Sequence, residues 1–120
     1  MSHRVWMLVA AIASGSSMAA DQQVLKEGLL NAARGERTTL QMAKLCGLDA
    51  AAAASMERTV SADLDGMKKM LPSAAQELDT AAAQGLQNAN RSFDRLGTGA
   101  SDSSTCKQAV AFAKTMLTDK

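Results

Sequence analysis

The sequence has one histidine and almost no aromatic residues, and these shortages limit the chemistry available to it. Of 120 residues, one is tryptophan, two are phenylalanine and none is tyrosine. His3 and Trp6 lie at the extreme N-terminus. Without that segment, the chain cannot form a Ser-His-Asp or Cys-His catalytic group, and it lacks the usual ligand of zinc, copper and haem. No glycine-rich phosphate loop is present either. We therefore expect no enzymatic activity, no cofactor and no metal site.

Clusters of basic residues are also missing. Without Arg4, twelve Lys and Arg residues balance twelve Asp and Glu residues, and Lys68-Lys69 is the densest basic point. Nucleic-acid binding requires a basic surface, commonly supplemented by aromatic side chains that stack on bases. Attachment to an anionic membrane requires a cluster of basic residues. We expect the chain to bind neither nucleic acid nor, once its N-terminal segment is removed, a membrane.

The N-terminal segment has the order of a secretory signal peptide. Residues 1–4 are short and basic, residues 5–13 are continuously apolar, and residues 14–20 are mostly small. Nine apolar residues are too few for a membrane span, which needs about 20. We predict cleavage after residue 19, a periplasmic or secreted location, and one domain over residues 20–120. An N-terminal anchor that is never removed is the alternative.

The two cysteines, Cys46 and Cys106, stand 60 positions apart. An even number of cysteines in an exported chain indicates a disulfide, and this spacing excludes a Cys-x-x-Cys redox motif. Closing so long a loop would stabilise the fold by about 4 kcal/mol in the chain-entropy model. We predict an intramolecular bridge; an intermolecular pair and free thiols are the alternatives.

Apolar residues recur at helical spacing, with few β-branched residues and a single proline, which predicts an all-α chain. Four helices are expected: residues 21–46, a second opened by Asp49 and stopped by Pro72, a third up to Gly97, and a fourth starting near Ser101. The clearest apolar stripe belongs to the third helix and comprises Ala75, Leu78, Ala82, Leu86, Ala89, Phe93 and Leu96. The side chains expected in one common core are Leu64, Met67, Leu78, Leu86, Phe93, Val110 and Leu117.

Short linkers make consecutive helices antiparallel neighbours, which predicts a small up-down-up-down bundle. In that topology the end of the first helix and the start of the fourth lie at the same pole. Cys46 and Cys106 occupy those two positions, so one disulfide would close the bundle without strain.

Two carboxylate features of the sequence are candidate sites. Asp63 and Asp65 resemble part of a calcium loop, but proline occupies position twelve, where glutamate is required. We interpret them as a solvated helix face. Glu36 falls on the apolar line of the first helix, and burial of an unpaired charge is costly. We expect the helix to break at Gly35 or a neighbouring arginine to pair with Glu36; a functional carboxylate is the other possibility.

Three apolar residues lie off the predicted stripes. Phe112 is displaced by about 100° from the stripe of the fourth helix on a helical wheel. It either packs at the helix edge or anchors another protein. Leu30 and Leu45 are similarly placed on the first helix. These three residues are the candidate partner contacts.

These observations favour an exported binding or interaction protein, such as an inhibitor, immunity-type protein, accessory subunit or stress chaperone, whose partner is another protein. A small-molecule carrier with an apolar cavity inside the bundle is the alternative. An enzyme ranks third, because no candidate group has a second catalytic residue at a useful spacing.

Overall fold

The computed structural model describes residues 18–118, with side-chain surroundings for residues 21–117. The predicted signal peptide, apart from its last two residues, lies outside this range, so its removal remains a prediction. Within the range, no helix has the length and apolar character needed to cross a membrane.

The described chain is all-α, as predicted. Four α-helices follow one another, with a single 3-10 turn in each of two connections and no strand between residues 18 and 118. The elements are α1 (Met18–Leu45), α2 (Ala50–Met70), a 3-10 turn (Pro72–Ala74), α3 (Ala75–Leu96), a second 3-10 turn (Ala100–Asp102) and α4 (Ser104–Thr118).

Polar caps and glycine set the helix ends. The Asp49 carboxylate accepts a hydrogen bond from the Ala52 amide at 2.8 Å and opens α2. The Ser103 hydroxyl accepts a hydrogen bond from the Cys106 amide at 3.1 Å and caps the start of α4 in the same way. Gly97, with a φ of 71°, ends α3, because a residue without Cβ adopts this left-handed conformation at no steric cost.

Neighbouring helices are antiparallel, which confirms the up-down-up-down arrangement. Arg37, late in α1, bonds to Glu57, early in α2. Lys68 near the end of α2 pairs with Asp79 near the start of α3. The end of α1 meets the start of α4 through the disulfide.

Helices α1 and α3 run parallel and pack against each other more extensively than any other pair. Their contacts keep the same order along both helices: Lys26 pairs with Glu77 at 3.1 Å, and Gln41 donates to Asn90 at 2.9 Å. The diagonal pair of the bundle is therefore its closest pair.

Gly85 makes this close approach possible. A Cβ at this position would lie 2.3 Å from the Arg34 carbonyl oxygen and 3.0 Å from Thr38 Oγ1. The Thr38 hydroxyl lies 2.7 Å from the Arg34 carbonyl oxygen and 3.1 Å from the Gly85 carbonyl oxygen, and so links the two backbones. Two helices can touch in this way only where one of them lacks a side chain.

The buried face of α3 is consequently rotated from the predicted stripe. Leu86, predicted to be buried, is 36% exposed, and Phe93 is only half-buried. Close backbone contact is made by small residues, so the large side chains of α3 lie to the side of the contact. The buried line comprises Ala74, Leu78, Ala81, Gly85 and Ala89.

The apolar interior consists of two clusters instead of the single predicted core. One contains Leu29, Ala33, Met67, Ala74, Leu78 and Ala81, and the other contains Leu40, Ala43, Leu48, Met56, Val60 and Ala113. Of the seven predicted core residues, Met67 and Leu78 are buried; Leu64, Phe93, Val110 and Leu117 are half-buried. Because many core positions are alanine, each cluster is small.

The structure contains the predicted intramolecular disulfide. Cys46 and Cys106 are both buried, their Cα atoms lie 5.0 Å apart, and neither thiol is free. The bridge fixes α4 to the end of α1. It therefore links the first and last of the helices between residues 18 and 118.

Candidate functional sites

Phe112 lies on the outer face of α4. It is 54% exposed, the highest value among the large apolar side chains described. Edge packing therefore covers less than half of the residue. Cys106 and Ala113, about 100° to 120° away from Phe112 around the same helix, are fully buried. The disulfide and the core therefore hold α4 in place while Phe112 faces solvent.

The same helix carries positive charge only. Lys107 and Lys114 are exposed, and α4 contains no Asp or Glu. Within residues 18–118 neither lysine forms an ion pair. The seven-residue spacing places them two turns apart, about 10 Å along the axis. The outer face of α4 is therefore locally basic on a chain whose overall charges nearly balance.

A surface groove of about 350 Å³ lies beside the disulfide, between α4 and the end of α1. Both lysines line it, and Val110 and Ala111 supply apolar surface between them. On a helical wheel the groove lies on one edge of the exposed face of α4 and Phe112 on the other. The remaining lining residues are Cys46, Gly47, Ser101 and Cys106.

Leu30 and Leu45, the other predicted contacts, are both half-buried. Leu30 packs against the first core cluster and lines a separate groove of about 450 Å³ between α1 and α3. Across this groove the Arg34 guanidinium donates to Gln84 at 3.3 Å. Leu30 and Phe112 therefore belong to different surfaces.

Glu36 is half-buried on α1, and the predicted helix break at Gly35 is wrong. The helix is continuous because Gly35 is exposed and requires no unusual backbone there. Glu36 lines a cavity of about 10 Å³ between α1, α2 and α3. Its other walls are formed by Ala33, Arg37, Val60, Leu64, Met67 and Ala82. A carried small molecule needs hundreds of Å³, so this cavity does not support the carrier hypothesis.

The predicted arginine partner of Glu36 is also wrong. Arg37 Nη1 donates to Glu57 Oε2 at 2.8 Å, and Glu57 also accepts a hydrogen bond from Ser61. The hydrogen bond from Arg37 is the main reason why the pKa of Glu57 lies below its ordinary value. Arg37 is thus engaged with a different carboxylate.

Apart from burial, Asp63 of α2 is instead the residue whose side chain contributes most to the raised pKa of Glu36. The pKa of Glu36 is raised from 4.5 to about 8, mainly by burial and further by the neighbouring Asp63, while nearby positive charge, including that of Arg37, opposes the rise. The interpretation of Asp63 as a solvated residue is wrong, since it is half-buried; Asp65 is exposed as expected.

The sequence did contain a signal for Asp63 that the helix pattern obscured. Asp63 follows Val60 by three positions and precedes Met67 by four, so it lies on the same face as two buried residues. Lys107 and Lys114 could likewise have been recognised from their seven-residue spacing in a helix without acidic residues. Neither sequence feature identifies what these residues bind.

No three His, Cys, Asp or Glu side chains among the described residues come together as a metal site requires. Comparison with family models, curated proteins and solved structures found no match to this chain.

Proposed function

We propose that this chain is an exported interaction protein that acts by binding another protein through the outer face of α4. The observation that carries the proposal is the exposure of Phe112 on α4, a helix that is fixed to the rest of the fold by the disulfide and by its buried residues. Aromatic side chains that are presented in this way are typical anchors of protein interfaces. Because the disulfide and the buried Cys106–Ala113 side already order α4, binding would require little further ordering of the backbone.

Export is supported by two independent features of the chain. Residues 1–19 have the order of a signal peptide. The two cysteines form a buried disulfide, a bond that persists in the periplasm and outside cells but is rare in the cytosol. A small bundle with many alanines also benefits from such a bridge, because its apolar core is thin.

The charge of α4 indicates the chemistry of the partner. If α4 is covered by a partner, Lys107 and Lys114 are placed in the interface without a counter-charge unless the partner supplies carboxylates. We therefore expect the partner to present an acidic surface with an apolar pocket for Phe112. Such pairing makes association faster at low ionic strength, and salt above about 0.1 M weakens it by screening.

The variant Phe112→Ser tests this proposal in a pull-down from periplasmic extract. Loss of an aromatic anchor should weaken partner binding by about 2 kcal/mol, or roughly 30-fold in Kd. The melting temperature should change little, because more than half of the residue is already in solvent. Met70→Ser is a matched control, since Met70 is 42% exposed but lies at the end of α2.

Three results would contradict the proposal. The native protein could recover no stoichiometric partner. Phe112→Ser could retain full binding, which would place the interface elsewhere. Phe112→Ser could instead lower the melting temperature by several degrees, in which case Phe112 belongs to the core.

A further inference from the structure

The groove between α1 and α3 has the size of a small-molecule site. Its volume is about 450 Å³, and such sites measure about 300–1,000 Å³. Leu30 and Ala81 supply apolar surface, and both belong to or pack against the first core cluster, so the apolar part lies at the bottom of the groove. The polar, uncharged side chains that line it are Ser73, Gln76, Thr80 and Gln84.

Arg34 brings a positive charge to this groove. Its guanidinium donates to the side-chain oxygen of Asn31 at 3.0 Å and to that of Gln84 at 3.3 Å. Both acceptors are neutral amides, and within residues 21–117 Arg34 forms no ion pair. A guanidinium has more N–H donors than these two bonds use, so Arg34 retains donors for a further acceptor. The groove therefore contains a half-buried cation whose charge is not compensated.

The acidic residue that lines the groove, Glu77, is already paired. Its Oε2 atom lies 3.1 Å from Lys26 Nζ on α1, so the two charges offset each other. The uncompensated charge is then the single positive charge of Arg34. This balance fits a ligand with one negative charge, because a doubly charged phosphate would bring a second charge that no further cation in the groove meets.

We propose that this groove binds a small organic monocarboxylate, with its carboxylate on Arg34 and an apolar group on Leu30 and Ala81. The planar guanidinium matches the two oxygens of a carboxylate and binds them through parallel hydrogen bonds. Asn31 on α1 and Gln84 on α3 hold the guanidinium from both helices, so little side-chain freedom is lost on binding. The site is separate from the interface proposed on α4 and does not depend on it.

The test is an NMR titration of the isotope-labelled native protein with N-acetyl-leucine, which combines a carboxylate with an apolar side chain. The Arg34 Nε–H and Gln84 side-chain amide signals should shift and saturate. N-acetyl-leucine amide has the same side chain and no charge, so it should produce no saturable shift. A short peptide with a free C-terminal leucine distinguishes two sources of the carboxylate. Tighter binding of the peptide supports a site for a chain terminus, and equal or weaker binding supports a site for a free acid.

Two variants connect the binding to Arg34. Arg34→Gln removes the charge, and Gln84→Glu keeps the guanidinium but places a carboxylate beside it. Each should weaken binding of N-acetyl-leucine roughly tenfold or more. Gln84 is exposed, so Gln84→Glu decides the question if Arg34→Gln fails to fold. Arg91→Gln is the matched control, since Arg91 also donates to an asparagine three positions earlier, Asn88, but is exposed and does not line the groove.

Three results would overturn the proposal. The native protein could show no saturable shift with N-acetyl-leucine or with the peptide. The neutral amide could bind as tightly as the acid, or Gln84→Glu could bind as tightly as the native protein. Arg91→Gln could lose as much affinity as Arg34→Gln, which would attribute the binding to overall charge and not to the groove.

Discussion

Adding a single methyl group at Gly85 should destabilise the fold strongly. By helix propensity alone, Gly85→Ala in the middle of α3 would be favourable by about 1 kcal/mol. The new Cβ, however, would lie 2.3 Å from the Arg34 carbonyl oxygen, about 1 Å closer than an ordinary carbon–oxygen contact. The obstructing atom belongs to the backbone of α1, so no side-chain rotation can relieve the clash.

The two helices must therefore separate, which lengthens the contacts that join them. The Thr38 hydroxyl, now 3.1 Å from the Gly85 carbonyl oxygen, would lose that partner. Overpacking of a well-packed contact costs about 1–3 kcal/mol, and here the closest helix pair of the bundle is affected. We expect a net loss of about 2 kcal/mol, which for a domain of this size lowers the melting temperature by roughly 10 °C.

Gly35→Ala provides the matched control, because the chemical change is identical and the position is also within a helix. A Cβ at Gly35 would meet no atom within 4 Å. Propensity then acts alone, and the variant should be more stable by up to about 1 kcal/mol. Thermal unfolding followed by circular dichroism measures both shifts. If Gly85→Ala is as stable as the native protein, or if both variants shift in the same direction, the close packing of α1 and α3 is refuted.

Two further predictions concern the core and the bridge. Leu78 is fully buried and Leu86 is 36% exposed, so Leu78→Ala should cost about 2–5 kcal/mol in urea unfolding and Leu86→Ala less than about 1 kcal/mol. Equal losses of stability in the two variants would instead support the stripe predicted from the sequence, in which Leu78 and Leu86 are both buried. Replacing both Cys46 and Cys106 by serine should lower stability by about 4 kcal/mol, the chain-entropy value for a loop of this length. The chemical denaturation midpoint of the double variant measures this loss, and an unchanged midpoint would mean that the bridge does not constrain the unfolded chain.

The sequence predicted the helices, their order and the disulfide well, because each depends on local signals. Asp49 and Gly97 mark helix ends because an N-terminal carboxylate caps a helix and a glycine ends one. The pairing of Cys46 with Cys106 agrees with a topology that places both cysteines at the same pole of the bundle. The rotation of α3 was not predictable in this way. Gly85 appears in a sequence pattern as a weak helix residue, and only the position of α1 reveals that it is a contact point.

The error at Glu36 has a different origin. A charged carboxylate on an apolar line requires either a break in the helix or a nearby arginine. Protonation is a third solution: burial is the main cause of the raised pKa of Glu36, and Asp63, 27 positions away on another helix, adds to it. Burial of Phe112 was likewise undecided by spacing alone, since an off-stripe residue is equally compatible with an edge contact and with exposure.

Site-specific photo-crosslinking in cells that export the protein tests the proposed interface most directly. A photo-reactive amino acid would replace Phe112 in one protein and Met70 in another, and the products would be separated by mass. The proposal predicts one discrete crosslinked species from position 112, containing an acidic partner protein, and none from position 70. Absence of a product from position 112, or the same products from both positions, would contradict binding through the outer face of α4.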